Sequence, residues 1–282
     1  MANQKETLLS IGLNDLEAEV YLALLHQELL TGYKIGKLLG KPTANVYKAL
    51  DSLAKKGAIM IEDQEKGLCK AVPASEFFAI IEAELRRKTQ EAKILFSQLS
   101  KESYDEKTYQ LRSVGLVLEK CRQMLASCKR LAVIDVFPEP LKVLLPAIQE
   151  AVSRRVEVQL QVYEPVEIPG AHIILPQHVL NVLPYWKSQQ LNMVVDGKEY
   201  VLALFDTTLT EVYQATWSRN LYLSCLLHKG TTNEITISKI AAVLPEPDAI
   251  ELIKAIIQKQ SLLSSGQVPG VEELLQRFGL NE

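Results

Sequence analysis

The sequence predicts a mixed fold in three parts: a small α+β domain over residues 1–74, a long helix over 75–104, and a larger α/β domain over 105–282. Three observations carry this. Between Ile11 and Gly57 three short amphipathic helical patterns follow one another closely, with a two-strand pattern behind them. From Ser75 to about Ser103 there is no glycine or proline, and apolar residues recur at alternating three- and four-residue steps. Beyond Tyr104, strand-like and helix-like runs alternate, as in a sheet covered on both faces. A length of 282 residues suits two domains, one small and one larger.

In the first helical pattern, Leu13, Leu16, Val20, Tyr21, Leu24 and Leu25 form an apolar stripe, with Asn14 or Asp15 as N-cap and Glu17 in the first turn. The second runs from about Tyr33 to Leu39, turns Ile35, Leu38 and Leu39 inward, and stops at Gly40. Pro42 suits the first turn of the third, where its missing N–H costs nothing. Val46, Leu50 and Leu53 make that helix's core stripe and Gly57 its C-terminal cap. Ile59–Ile61 and Leu68–Val72 then read as strands joined by a polar turn at Glu65, Lys66 and Gly67. Helices in this order make a helix-turn-helix, and the strand pair makes it a winged one. Such a motif sets its last helix in the major groove of double-stranded DNA, N-terminal residues first. Lys41, Thr43, Ala44, Asn45 and Lys48 lead that helix, a set able to touch phosphates and base edges. Tyr47 on the same helix, Lys34 and Lys37 before it and Lys66 in the wing complete the candidate DNA-binding set.

Charge points the same way. The whole chain carries a net charge of −3, which excludes a general nucleic-acid glue. Between Thr31 and Gly57, however, Lys34, Lys37, Lys41, Lys48, Lys55 and Lys56 face only Asp51. A local basic patch on an acidic chain suits a protein steered to DNA at one place. For each lysine alone, solvation of a helix face is the alternative, and Lys55 and Lys56 fall at the helix end, where cations complement the dipole.

In the long helix, capped by Ser75, the repeating positions are Phe78, Ile81, Leu85, Ala92, Leu95 and Leu99, with Lys88 as the one break. A heptad seam of this kind predicts a coiled coil between two copies of the chain. A helix packed on its own C-terminal domain is the alternative. Dimerisation is preferred because two recognition helices about 34–36 Å apart read a symmetric site. Lys88, Arg86 and Arg87 would reach DNA or the partner's acidic residues.

The third part reads as a short strand at Tyr109–Arg112, a helix at Val114–Ser127, a buried strand at Leu131–Val136 and a helix at Glu139–Arg155. Val156–Val162 alternates strictly, and three strands follow at Asn192–Val195, Tyr200–Phe205 and Glu211–Thr216. Helices are predicted at Arg219–His228, Ala249–Leu263 and Val271–Phe278, with His228 and Lys229 closing the first. No metal or cofactor is expected: His26, His172, His178 and His228 lack metal spacing, and a turn is read between His172 and His178. Cys69, Cys121, Cys128 and Cys225 form no CxxC, and neither a phosphate-binding loop nor a G-x-S-x-G is present. Without a signal peptide or a run of eighteen apolar residues, the chain is expected in the cytoplasm, off the membrane, with reduced thiols.

GLNDLEAEVYLALL and NVYKALDSLAKKGAI resemble the N-terminal winged-helix domain of TrmB-like transcriptional regulators. Gly12, Leu13, Glu17, Ala18, Val20, Tyr21, Leu24, Leu25, Val46, Tyr47, Leu50, Leu53 and Gly57 carry the likeness, and Ala71, Val72 and Pro73 resemble the family's exit from the wing. Tyr33 and Lys34 depart from it, standing where the family has small and acidic residues. The family carries a phospholipase D-like effector domain after its coiled coil, and AVSRRVEVQLQV, MVVDGKEYVLALFD and ATWSRNLYLSCLL are similar to it. Active members of that fold use His-x-Lys-x-x-x-x-Asp. With Asp196 at the Asp place, Gln189 and Leu191 stand at the His and Lys places and supply neither nucleophile nor charge.

The resemblance therefore implies a domain reused for binding a small-molecule effector, a sugar in some members, rather than an enzyme. Asp196, Trp217, Ser218, Arg219 and Asn220, at strand ends and before a helix, are the candidate ligand residues. A core tryptophan followed by a helix cap is the alternative reading of WSRN. The expected function is a dimeric, effector-responsive transcriptional regulator. The runner-up is a DNA-binding protein whose C-terminal domain serves only oligomerisation or protein contacts.

Overall fold

The structure is a computed structural model that describes residues 2–27, 29–62, 67–97, 105–176, 183, 185–264 and 268–279. It divides into two units, residues 1–102 and 103–282. In the first, α1 (Ala2–Ser10) precedes α2 (Asp15–His26), which Asn14 opens. The Asn14 side-chain oxygen accepts the Glu17 N–H at 2.9 Å, and the Glu17 carboxylate accepts the Asn14 N–H at 2.8 Å. This reciprocal cap satisfies two donors that a helix start otherwise leaves open. Ala18, Val20, Tyr21 and Leu24 then face the core, while Leu25, predicted to join them, is exposed.

After β1 (Leu30–Thr31), α3 (Gly32–Leu39) is capped by Thr31 and stopped by Gly40 in the left-handed conformation, φ 65°. Leu38, expected inward, is exposed. α4 (Thr43–Lys55) buries Val46, Ala49, Leu50 and Leu53. A Cβ on Gly32 would lie 2.7 Å from the Tyr47 ring, so a bare backbone is what lets α3 approach α4. β2 (Ile59–Ile61) and β3 (Leu68–Ala71) form an antiparallel sheet in the order β1–β3–β2.

The first unit ends in α5 (Ala74–Ser97). It starts one residue before Ser75, so that serine sits in the first turn and does not cap it. Phe77 is fully buried with its ring centroid 5.1 Å from that of Tyr21, whose hydroxyl donates to the Val72 carbonyl at 2.9 Å. Of the predicted seam, Phe78, Leu85, Ala92 and Leu95 are exposed and Ile81 is half-buried against the core of the unit. Leu85 is 64% and Leu95 70% exposed. Leu99 lies outside the described residues. Lys88 pairs with Glu84 and Arg87 with Glu91, each at 2.7 Å along the same helix.

The second unit holds β4 (Thr108–Gln110), α6 (Val114–Ser127), β5 (Leu131–Val136), α7 (Pro138–Ser153), β6 (Glu157–Val162) and β7 (His172–Ile174). It continues with β8 (Gln189–Val195), β9 (Glu199–Phe205), β10 (Val212–Ser218), α8 (Leu221–Val243), α9 (Ala249–Ser264) and α10 (Pro269–Phe278). Seven strands lie in the order β4–β10–β9–β8–β5–β6–β7. β5, β6 and β7 run parallel and the remaining pairs antiparallel. Alternate residues of β5 point to opposite faces: Ala132, Ile134 and Val136 pack with α6 and α7, whereas Leu131 and Val133 pack with Ile235 of α8.

Three expectations change here. The helix predicted to close at His228 runs on to Val243, so His228 is a buried mid-helix residue and not a C-terminal cation. Trp217 and Ser218 belong to strand β10, not to a turn, because they pair with Tyr109 and Thr108 of β4. β7 at His172–Ile174 is a strand that the sequence did not predict, and His178, the far end of the predicted turn, lies outside the described residues.

Replacing Tyr21 with phenylalanine leaves the buried Val72 carbonyl without its donor and should lower the stability of the winged unit by about 1–3 kcal/mol in urea unfolding. Burial alone would push the Glu17 carboxyl up, but hydrogen bonds from Lys56, Ser52 and the Asn14 N–H outweigh it and hold the group below its ordinary 4.5. That stabilisation is complete above the ordinary value and is lost as pH falls through it toward the folded one. Lys56→Met should therefore lower the thermal midpoint near neutral pH and narrow its further drop between about pH 6 and about pH 3.

Candidate nucleic-acid interface

The first turn of α4 is closed by the Pro42 carbonyl, which accepts the Asn45 N–H at 3.0 Å and the Val46 N–H at 3.2 Å. Proline thus fixes where the helix starts and leaves Ala44, Asn45, Tyr47 and Lys48 exposed on the side opposite Val46, Ala49 and Leu50. Thr43 is half-buried against the turn that Gly36 makes possible, where an added Cβ would stand 3.2 Å from the Lys41 carbonyl oxygen. Lys34 and Lys37 are exposed on α3, and Lys66 lies outside the described residues.

Lys41 has a partner that the local sequence does not show. Its ammonium lies 3.0 Å from the Glu19 carboxylate, which also takes Lys5 of α1 at 2.8 Å. Hydrogen bonds from Lys5 and then Lys41 hold the Glu19 carboxyl below its ordinary value. Lys56 ties the end of α4 to the start of α2, donating to the Glu17 carboxylate at 2.7 Å and the Gly12 carbonyl at 3.1 Å. Lys55 pairs with Asp51 at 2.7 Å. The cations of the patch that the structure gives no carboxylate are Lys34, Lys37 and Lys48, among the described residues. Tyr33, noted in the sequence only as a departure from the family and left out of the DNA-binding set, stands well exposed beside Lys34.

The candidate ligand residues are spread over several internal contacts. Asp196 sits in the β8–β9 turn at φ 53°. Its carboxylate accepts the N–H groups of Lys129, Arg130 and Leu131 at 2.8, 2.9 and 3.0 Å, capping the start of β5. The Cys128 thiol points at the same carboxylate, and burial with that negative charge pushes it up to about 12. The Trp217 indole N–H donates to Glu199 at 2.6 Å, its ring stacks on Tyr109, and the Lys120 ammonium stands 4.1 Å from its centroid. Arg219 pairs with the same Glu199 at 3.3 Å. The Ser218 hydroxyl donates to the Lys107 carbonyl, and the Asn220 side chain caps α8 by accepting the Leu223 N–H at 3.0 Å. A cleft of about 330 Å³ lies beside Asp196 and Glu199, lined also by Lys129, Arg130, Lys198 and Glu272. Trp217 and Arg219 meet that cleft through Glu199.

Of the two residues that the sequence alignment set against the phospholipase D motif, Gln189 accepts the Glu139 N–H at the start of α7. Leu191 is fully buried and packs in the apolar core with Ala203 and Phe205. Among the described residues no three His, Cys, Asp or Glu side chains are placed to hold a metal. No helix among them is long and apolar enough to cross a membrane.

Residues 8–75 match the family described as "Sugar-specific transcriptional regulator TrmB". YrhO of Bacillus subtilis (strain 168), named as an uncharacterized protein, is 22% identical over 222 residues, covering 78% of this chain and 80% of that one. TrmBL2, described as an archaeal chromatin protein with a novel mode of DNA binding, aligns over 83% of this chain and 97% of its own, with 19% identity and a TM-score of 0.40. NucT from Helicobacter pylori aligns over 48% of this chain and 98% of its own, with 14% identity and a TM-score of 0.37. The family match and the helix and strand order agree: the N-terminal unit carries a TrmB-like winged-helix domain.

Proposed function

We propose that this chain is a sequence-specific, DNA-binding transcriptional regulator that works as a homodimer and answers to a small-molecule effector. The observation that carries the reading is the head of α4. There Ala44, Asn45, Tyr47 and Lys48 stand exposed on a winged-helix domain that matches a family of transcriptional regulators. Asn45 is the base-reading residue in this proposal, since a side-chain amide can bond an adenine edge on two sides. Lys34, Lys37 and Lys48 contact phosphates, and Lys41 joins them where a phosphate displaces Glu19.

Residues 1–74 serve as the reader, 75–104 as the dimerising helix and 105–282 as the effector unit with a phospholipase D-like outline and no nucleophile. The apolar side chains exposed along α5, Phe78, Leu85 and Leu95 among them, support pairing of that helix with a second copy. An effector bound in the second unit must favour one DNA-binding state over another, or it shifts nothing.

One observation favours the second reading, in which the C-terminal unit serves only oligomerisation or protein contacts. Asp196, Trp217 and Asn220 spend their polar groups on the fold itself. A thermal-shift screen with sugars and other metabolites separates the two, because a ligand of the native state raises the melting temperature. A screen in which none changes either melting or operator affinity leaves the second reading.

Asn45→Ala should reduce the preference for an operator over random DNA, and equal losses on both would remove Asn45 from base reading. Lys48→Ala should weaken binding on all sequences and lower the slope of log K against log salt by about one. Glu19→Ala should act in the opposite direction, tightening binding to random DNA and steepening that slope, because it frees Lys41 for phosphate.

A further inference from the structure

The winged unit holds a cavity of its own. It measures about 460 Å³, inside the range of about 300–1,000 Å³ usual for small-molecule sites. Its walls are Leu22 and Ala23 of α2 and Leu38 and Leu39 at the end of α3. Leu38 continues the apolar stripe that Ile35 begins, yet it is 52% exposed, because it lines this hollow instead of the core. Hydrocarbon left wet on a concave wall favours an apolar occupant.

Charge and size narrow what that occupant can be. Lys5 and Glu19 stand in the lining and are paired with each other at 2.8 Å. Lys5 also meets Asp15, and Glu19 also meets Lys41, each at 3.0 Å. An ionic ligand would have to break this set or leave its own charge unpaired against hydrocarbon, which is costly. His26 and Gln27, exposed at the end of α2, offer hydrogen bonds to a polar end. Among the described residues eight line the cavity, whereas a stable protein interface takes about 20–30 a side.

We propose that the cavity binds a neutral, mostly hydrocarbon small molecule, and that this occupant tightens the hold of Glu19 on Lys41. The two side chains are 25% and 42% exposed, and an ion pair open to water is weak. A neutral body seated against Glu19 takes water away from the pair, and the attraction between two charges grows as the surrounding dielectric falls. The ligand thereby holds back the cation that stands just before α4. Control then lies inside the reader itself, apart from any effector site in the second unit. The consequence at DNA rests on the DNA-binding reading above: the ligand lowers the slope of log K against log salt by about one.

The test uses the full chain and prodan, a neutral naphthalene dye whose emission moves to the blue when it leaves water. Prodan should bind saturably with a blue shift. Leu38→Glu should weaken that binding about tenfold or more, through a lost apolar wall and a new charge. Leu226→Glu, at an exposed leucine of α8, should leave it unchanged, with the thermal midpoint of each variant showing that it is folded. Bound prodan should also slow the acetylation of Lys41 by acetic anhydride relative to that of Lys48 in the same sample. In Glu19→Gln the dye should still bind and the protection of Lys41 should vanish. Absence of a blue shift, binding that survives Leu38→Glu or falls with Leu226→Glu, no protection of Lys41, or protection that persists in Glu19→Gln would each overturn the inference. These readings need no DNA, so they stand or fall separately from the DNA-binding reading.

Discussion

One buried hydrogen bond organises the N-terminal unit. Tyr21 is inaccessible to solvent, and a phenol taken out of water needs a partner, which the Val72 carbonyl provides. Burial pushes the Tyr21 hydroxyl above its ordinary value, which favours the protonated form that donates to the Val72 carbonyl. Val72 also donates its own N–H to the Ala58 carbonyl, closing the sheet at the end of α4. Phe77 then packs on the Tyr21 ring one turn into α5. A single side chain of α2 thereby fixes the exit of the wing and the direction in which α5 departs. α4 and the start of the long helix belong to one core, in which Val46, Leu50 and Leu53 pack with Phe77.

The second unit is governed by the difference between the two faces of its sheet. One face is hydrocarbon, built from β5, β6, β8 and β9 against α6 and α7. The other carries Asp135 at its centre, whose carboxylate accepts the amides of Gln190 at 2.6 Å, Asn192 at 3.2 Å and Gln161 at 3.3 Å. Burial raises the Asp135 carboxyl above its ordinary value despite these bonds. A polar sheet face requires a polar helix face over it, and α8 supplies one in Ser224, His228, Thr232, Thr236 and Ser238. Tyr222, Leu226 and Ile237 are left exposed on its outer side.

Much of this was legible where local chemistry decides. Asn14 and Glu17, Gly40, Gly57 and the apolar run Leu131–Val136 each act on neighbours a few residues away, and the elements they bound fall close to the reading. β1 was not legible, because two residues form a strand only when Cys69 and Leu68 lie beside them. Neither was the bond between Lys41 and Glu19, which the fold alone brings together. Asp196 read as a ligand residue because strand ends often bind ligands, yet its carboxylate caps a strand far away in sequence. The end of α8 was missed for a different reason. Gly230 resembles a stop, and periodicity shows that a helix has two sides without saying which one the core will take.

The two edges of the seven-stranded sheet are β4 and β7, each only three residues long. An edge strand offers unpaired N–H and C=O groups that another chain can join, and brevity is one of the ways natural sheets blunt that risk. Copies of this unit brought close together therefore have little backbone to zip. A contact between two such units would have to be made by side chains rather than by a shared backbone ladder.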